Sequence, residues 1–243
     1  MKTKTLCTYL GGSQLYHLET PESDLDERGV FMHTDPAYIL GTKRFDEERK
    51  QNKDTDKVMK ELSHFCSLLR RSNSEAMETL FADDDAFDTL SPEFERLREE
   101  RFSFVDSKGL FNCLRGYMKG ELRLACGERK GKLGGKRYTK LQEVGFSPKN
   151  FVQLFRLGHV GCHFFNENRY VVDTRQFNGN LHQFMYDVKT QPELYSVEEL
   201  TTMAHDLDKK LAEAFENRKV DHKFNETKLN ELLLEVYLPV LQK

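Results

Sequence analysis

The chain of 243 residues has no tryptophan, only six prolines, and five cysteines that never stand as Cys-x-x-C. Each scarcity excludes something. Cys7, Cys66, Cys113, Cys126 and Cys162 are scattered and odd in number, so they read as reduced thiols of a cytoplasmic protein. No apolar run approaches the roughly 18 residues of a membrane span. The apolar part of the N-terminus, MKTKTLCTYLGG, is too short for a signal peptide. Neither sign of charge dominates, since 37 Lys and Arg face 40 Asp and Glu for a formal net charge of −3. That balance excludes a globally basic nucleic-acid binder but not a local basic groove. A P-loop lysine pattern and a Gly-x-Ser-x-Gly nucleophile turn are also missing, as are internal repeats and low-complexity tracts. What remains is a polar globular chain, 38% hydrophobic and 32% charged, long enough for one large domain or two modest ones.

Strand and helix signals divide unevenly along it. Thr3–Leu10 reads as a strand, 13–18 as a short helix, Asp24–Phe31 as a second strand and Asp56–Met59 as a third. A charged loop is expected around 35–53. An apolar-periodic helix follows the third strand through Leu62, Phe65, Cys66 and Leu69, and Asn73 and Ser74 are placed to cap another through Phe81. The acidic run Ala82–Asp88 reads as a solvated linker. From Ser107 onward strand signals nearly vanish. Helical spacing recurs over 107–128, 148–164 and 226–241, and Ser196 with Glu199 forms a capping box ahead of a helix over 200–215. The pattern predicts an N-terminal α/β domain over residues 1–100 and a helical domain over 101–243.

Chemistry concentrates in GGSQLYHLETPESDLDERGVF, residues 11–31. Alternate residues of a strand share a face, so the carboxylates of Asp24 and Asp26 converge. Two converging carboxylates suit a hard, oxygen-seeking ion such as Mg²⁺. The turn at Gly12 and Ser13 offers backbone N–H groups and a hydroxyl to a phosphate. A phosphate cradle beside a divalent-metal site is the apparatus of phosphoryl or nucleotidyl transfer.

Residues 11–31 resemble the signature of the DNA polymerase β-like nucleotidyltransferase superfamily, in which Gly-Ser and a short helix precede Asp-x-Asp on the next strand. The closer resemblance is to the RNA-repair-associated, RlaP-like branch. Its pattern is matched at Ser13, Tyr16, Leu18, Thr20, Pro21, Ser23, Asp24, Asp26, Arg28, Gly29 and Val30. The chain departs from it at His17, where glycine is usual. The resemblance implies an α+β protein: a polymerase β-like α/β domain with a mixed sheet, then an all-helical domain. It also implies a third carboxylate on a neighbouring strand, in KDTDKVMKELSHF. Asp56 is preferred there, with Asp54 on the same face and Glu61 at the helix start as alternatives.

The same resemblance extends to Asn73, Glu78, Leu80 and Phe81, and to Lys149 and Arg156 in KNFVQLFRL, where Gln153 replaces a common histidine. Glu78 reads equally as an acid supporting the site or as an exposed helix residue. Lys149 and Arg156 fall on one helix face and are assigned to the triphosphate tail, with Gly12 and Ser13 seating the nucleotide. Six basic residues and four glycines crowd into the loop 127–140, which makes Arg129, Lys130, Lys136 and Arg137 candidate RNA contacts. His159, Cys162 and His163 have zinc-type spacing but no clear fourth ligand, and read as helix packing.

The implied function is transfer of NMP from an NTP to a hydroxyl, with Mg²⁺ or Mn²⁺ held by Asp24, Asp26 and Asp56. The implied acceptor is an RNA end, tRNA among them. Modification of a protein or small molecule stays open, as does a non-catalytic RNA- or partner-binding module.

Overall fold

Alternating apolar residues start the sheet, and the positions they bury decide which face carries charge. The structure, a computed structural model, describes residues 2–52, 55–128 and 136–242. Its elements are β1 (Thr3–Leu10), α1 (Gly12–Leu15), β2 (Leu25–His33), α2 (Pro36–Ile39), β3 (Glu47–Gln51), β4 (Thr55–Glu61), α3 (Leu62–Arg70), α4 (Ser74–Phe81), β5 (Phe87–Leu90) and α5 (Pro92–Glu99). Then come α6 (Ser107–Ala125), α7 (Lys136–Val144), α8 (Pro148–Glu167), α9 (Leu181–Thr190), α10 (Val197–Glu216) and α11 (Glu226–Leu241). The protein is α+β, with a mixed five-stranded sheet in its N-terminal part and helices dominating the rest.

The chain forms two compact units, Met1–Gly109 with His222–Lys243, and Leu110–Asp221. In the first, the strand order is β3-β4-β2-β1-β5. β2 and β4 run parallel, while the β1–β2, β1–β5 and β3–β4 pairs are antiparallel. Val30 and Met32 are buried on one face of the sheet and Met59 on the other, and Leu6 of β1, Leu62, Phe65 and Leu69 of α3 and Met77 and Leu80 of α4 are buried as well. Burial of Phe65 alone contributes about 2–3 kcal/mol relative to exposure. Asn73 caps α4 by accepting from Ala76 N at 3.1 Å, as its sequence position predicts.

The C-terminal helix α11 belongs to this unit. Arg70 donates to Glu226 at 2.8 Å, and Tyr237 donates its hydroxyl to Glu61 at 2.7 Å. Burial, followed by the adjacent Glu61 charge, pushes the Tyr237 phenol far above its usual range. The phenol therefore stays a proton donor.

The second unit is helical. Gly158 and Gly161 of α8 let neighbouring helices approach: a Cβ at Gly158 would stand 2.5 Å from Leu207 Cδ2, and one at Gly161 2.5 Å from Leu211 Cδ1. Arg115 of α6 makes a two-point ion pair with Asp208 of α10, at 2.6 and 2.5 Å. The capping box of Ser196 and Glu199 is formed, and opens α10 at Val197.

Three local expectations are corrected. The acidic run 82–88 is not a linker, because Phe87–Leu90 pairs with β1 as an edge strand, and Arg98 anchors the run through Asp84 at 2.7 Å. The charged loop 35–53 contains α2 and β3. Finally, the segment 127–140 is not loop throughout, since α7 starts at Lys136. Arg129 and Lys130 lie outside the described residues, as does Asp54. Among the described residues no helix is long and apolar enough to cross a membrane.

Candidate active site

The end of β1 and the start of β2 are tied by Gly11 N donating to Asp26 O at 2.6 Å. This bond sets the glycine turn directly against the acidic strand. Gly12 has φ of +61°, a conformation that side-chain-bearing residues adopt at a cost. Its missing side chain is also spatial: a Cβ there would overlap Asp26 Oδ2. Ser13 O accepts from Leu18 N at 2.9 Å and closes the turn. Tyr16, just after α1, donates its hydroxyl to Glu78 at 2.5 Å. Glu78 is buried, so its reading as an exposed helix residue does not hold. It fixes the glycine–serine turn from α4 beneath. Thr79 of α4 adds a second tie through the buried Tyr9 hydroxyl.

His17 takes φ of +56°. The residue that departs from the family pattern thus occupies a left-handed position, which explains why glycine suits it. Next, Thr20-Pro21-Glu22-Ser23 folds as a tight turn, with Ser23 N donating to Thr20 O and Thr20 N to Ser23 Oγ, each at 2.9 Å. Proline's fixed φ favours the second turn position. The turn delivers Asp24, exposed, immediately ahead of β2.

Register supplies what spacing alone leaves open. Asp26 lies directly opposite Asp56 on the parallel strand β4. Arg28, two residues past Asp26 and on its face, bridges the pair. Its Nη2 stands 2.9 Å from Asp26 Oδ1 and 3.2 Å from Asp56 Oδ2. From β3, Arg49 Nε and Nη2 donate to Asp56 Oδ1 and Oδ2 at 3.2 and 3.1 Å. Glu75 of α4 extends the network, 3.7 Å from Arg28 Nε and paired with Lys60. Glu61, the alternative on this segment, pairs with Phe31, five residues up the strand from Asp56. At ~3.3 Å per residue that is about 16 Å away. Glu61 is buried and caps α3 through Ser63 N and His64 N.

The donor set suits a hard cation, because it consists of carboxylate oxygens with a glycine leaving room beside one of them. It is not arranged as a cage. Among the described residues no group of three or more His, Cys, Asp or Glu side chains is placed to hold a metal ion. Arginines, not a third acid, neutralise the Asp26–Asp56 pair.

A family profile described as the RNA repair pathway DNA polymerase beta family, RlaP, matches residues 2–235. The chain belongs to the RlaP family. RlaP membership carries a coarse function, that of a polymerase β-like nucleotidyltransferase in RNA repair. No curated protein matches the chain significantly.

The second unit of this RlaP protein holds the other sequence candidates. Lys149 is exposed in the first turn of α8, whereas Arg156 is fully buried, with Nε 3.3 Å from Gln153 Oε1. One helical row therefore carries two different environments. His159 and Cys162 line a cavity of about 350 Å³ with Lys210 and Glu213. Burial, and then the neighbouring His163, lowers the His159 pKa to about 4, while burial raises the Cys162 thiol to about 11. His163 stacks on Phe177 with ring centroids 5.3 Å apart. These side chains behave as packed residues.

Sequence reasoning gives no role to Arg28 or Arg49. For Arg28 a signal exists, since it continues the alternate-residue series of Asp24 and Asp26. Arg49 reaches Asp56 only through the β3–β4 hairpin register.

Proposed function

We propose that this RlaP protein is a divalent-metal-dependent nucleotidyltransferase that moves NMP from an NTP to a hydroxyl, with an RNA end, such as that of a tRNA, as acceptor. The observation that carries this reading is the direct pairing of Asp26 with Asp56 beneath a glycine turn with no room for a side chain. Asp24, Asp26 and Asp56 would hold Mg²⁺ or Mn²⁺. When bound, such ions polarise phosphoryl oxygens and neutralise charge that develops during in-line displacement.

The chain's own residues do the positioning. Gly12 and Ser13 would seat the triphosphate; of the two cations assigned to its tail, Lys149 is exposed, whereas the fully buried Arg156 offers no surface to a phosphate. The acceptor hydroxyl gives up its proton to solvent and its oxygen bonds to the α-phosphorus as the bond from that phosphorus to the α–β bridging oxygen breaks, and pyrophosphate leaves. Rigid support comes from α4, through the Tyr16–Glu78 and Tyr9–Thr79 contacts. Catalysis is assigned to the first unit and substrate holding to the second, where Lys136 and Arg137 open α7. They join Arg129 and Lys130 as the proposed RNA contacts.

The test is incubation with each labelled NTP and total RNA, with and without EDTA. The wild-type protein should label RNA only with metal present. Asp24→Asn and Asp26→Asn should each abolish transfer while staying folded, Asp26→Asn melting slightly below wild type because it loses the ion pair to Arg28. Full activity in either variant, or unfolding of both, refutes the assignment. Label on protein instead of RNA would redirect the acceptor.

A further inference from the structure

Two arginines touch the same carboxylate and are held very differently. Arg28 is locked in. Its side chain is 17% exposed, and Nη1 donates to the backbone oxygens of Asp56 and Glu27 at 2.6 and 3.0 Å. Its stem runs under Gly11, where a Cβ would come within 2.6 Å of Cγ. Moving it would strand two carbonyls. Arg49 is 57% exposed on β3, an edge strand, and its side-chain polar contacts among the described residues all go to Asp56. Only an exposed ion pair is lost when it swings away.

Three of the roughly four lone-pair sites of Asp56 are taken as the site stands, one on Oδ1 by Arg49 and two on Oδ2 by both arginines, so an ion using what remains on Oδ1 would sit against the Arg49 guanidinium. A divalent ion on Asp56 needs an oxygen lone pair and repels a guanidinium. Arg49 is the group that can leave. We propose that Arg49 is an exchangeable counter-cation: it holds Asp56 while the site is empty and passes to the incoming triphosphate when metal takes its place. A guanidinium fork matches phosphate oxygens as well as it matches a carboxylate. Release at Asp56 would then couple metal loading to nucleotide capture. The proposal rests on Asp56 being a metal ligand, as read above.

The test reads binding, not turnover. Mn²⁺ affinity is followed by the EPR signal of the free ion, without nucleotide. Binding of each NTP is then measured by calorimetry at saturating Mn²⁺. Both are done for wild type, Arg49→Ala and Arg49→Gln, and the glutamine variant preserves length on an exposed strand. Loss of the competing ion pair should tighten Mn²⁺ binding about 3–5-fold, the equivalent of an exposed pair. Loss of the fork should weaken NTP binding at least ~5-fold. Opposite signs for the two ligands support the exchange. Unchanged or weaker Mn²⁺ binding in both variants overturns it while leaving the metal site intact. Tighter binding of both ligands also overturns it, because Arg49 would then be a competitor with no phosphate role. If the wild type binds no Mn²⁺ at all, the metal-site reading falls, and the exchange with it.

Discussion

Replacing Gly12 by alanine is the sharpest perturbation available at this site, because two separate costs fall on one methyl group. The first is conformational. At φ of +61° an alanine is left-handed, which costs about 1–2 kcal/mol. The second is a collision with Asp26 Oδ2, the carboxylate oxygen over which the glycine is packed. Relief to van der Waals distance requires the carboxylate to move by roughly 1 Å, and a misplacement of that size at reacting groups costs on the order of 10²-fold in rate. The displacement also breaks the 2.9 Å contact that Arg28 makes to Asp26. Gly41 provides the control. Its φ is +74° and nothing lies within 4 Å of a Cβ built there, so Gly41→Ala carries the backbone cost alone. Gly41→Ala should lose about 1–2 kcal/mol in denaturant unfolding and Gly12→Ala more than that, whereas only Gly12→Ala should lose turnover, by ~10²-fold, with weakened Mn²⁺ binding. Equal turnover in the two variants would refute the claim that the glycine turn positions Asp26.

Three further outcomes follow from other parts of the molecule. His17→Gly should stabilise the protein by about 0.5–1 kcal/mol in chemical denaturation, since relief of left-handed strain exceeds the added freedom of the unfolded chain. His159 is held neutral with a pKa near 4 against 6.5 when unfolded, so its contribution is intact above about pH 6.5 and falls as pH drops toward 4. His159→Gln should flatten that acid loss, which amounts to as much as ~3 kcal/mol. Changing Arg129, Lys130, Lys136 and Arg137 together to alanine should weaken RNA binding and lower the slope of log affinity against log salt by roughly 0.7 per lost phosphate contact. Unchanged RNA affinity with reduced NTP affinity would make the segment a triphosphate clamp.

The parts of the site legible in sequence are those written within one short stretch. Gly12, Ser13, Asp24 and Asp26 lie within it, and the glycine turn packs on Asp26; Asp24, however, stands just ahead of β2, outside the strand whose alternation was expected to align it with Asp26. Helices with intact caps were equally readable: Asn73 and Ser196 announce α4 and α10 because a capping side chain acts within three residues of itself. Register is a different matter. The expected place of Asp56 on the strand favours it over Glu61 in the sequence, but that Asp56 stands opposite Asp26 comes from a parallel pairing between strands thirty residues apart. Glu61 has its own local explanation, as the N-cap of α3, which was hidden by its value as a spare carboxylate. Composition misled at 82–88, where four acidic or polar neighbours conceal the strand signal of Phe87 and Leu90. Likewise, periodicity identifies α11 but carries no information on which unit it joins.

The same distinction explains why the charge balance of the site was invisible. A reading by residue type collects carboxylates and counts them toward a metal. The folded chain instead places two guanidinium groups on the two acids that the sheet brings together, and they come from different distances. Arg28 arrives through the same strand as Asp26, two residues on, and is fixed by backbone carbonyls. Arg49 arrives across a hairpin and is fixed by Asp56 alone among the described residues. An acidic pair buried to this degree without a counter-charge would be costly, so a cation must accompany it. The permanent arginine meets that need for structure. Under the proposed exchange Arg49 would meet it only until a metal ion binds, and its position at the sheet edge would let the site shed positive charge as the ion brings more.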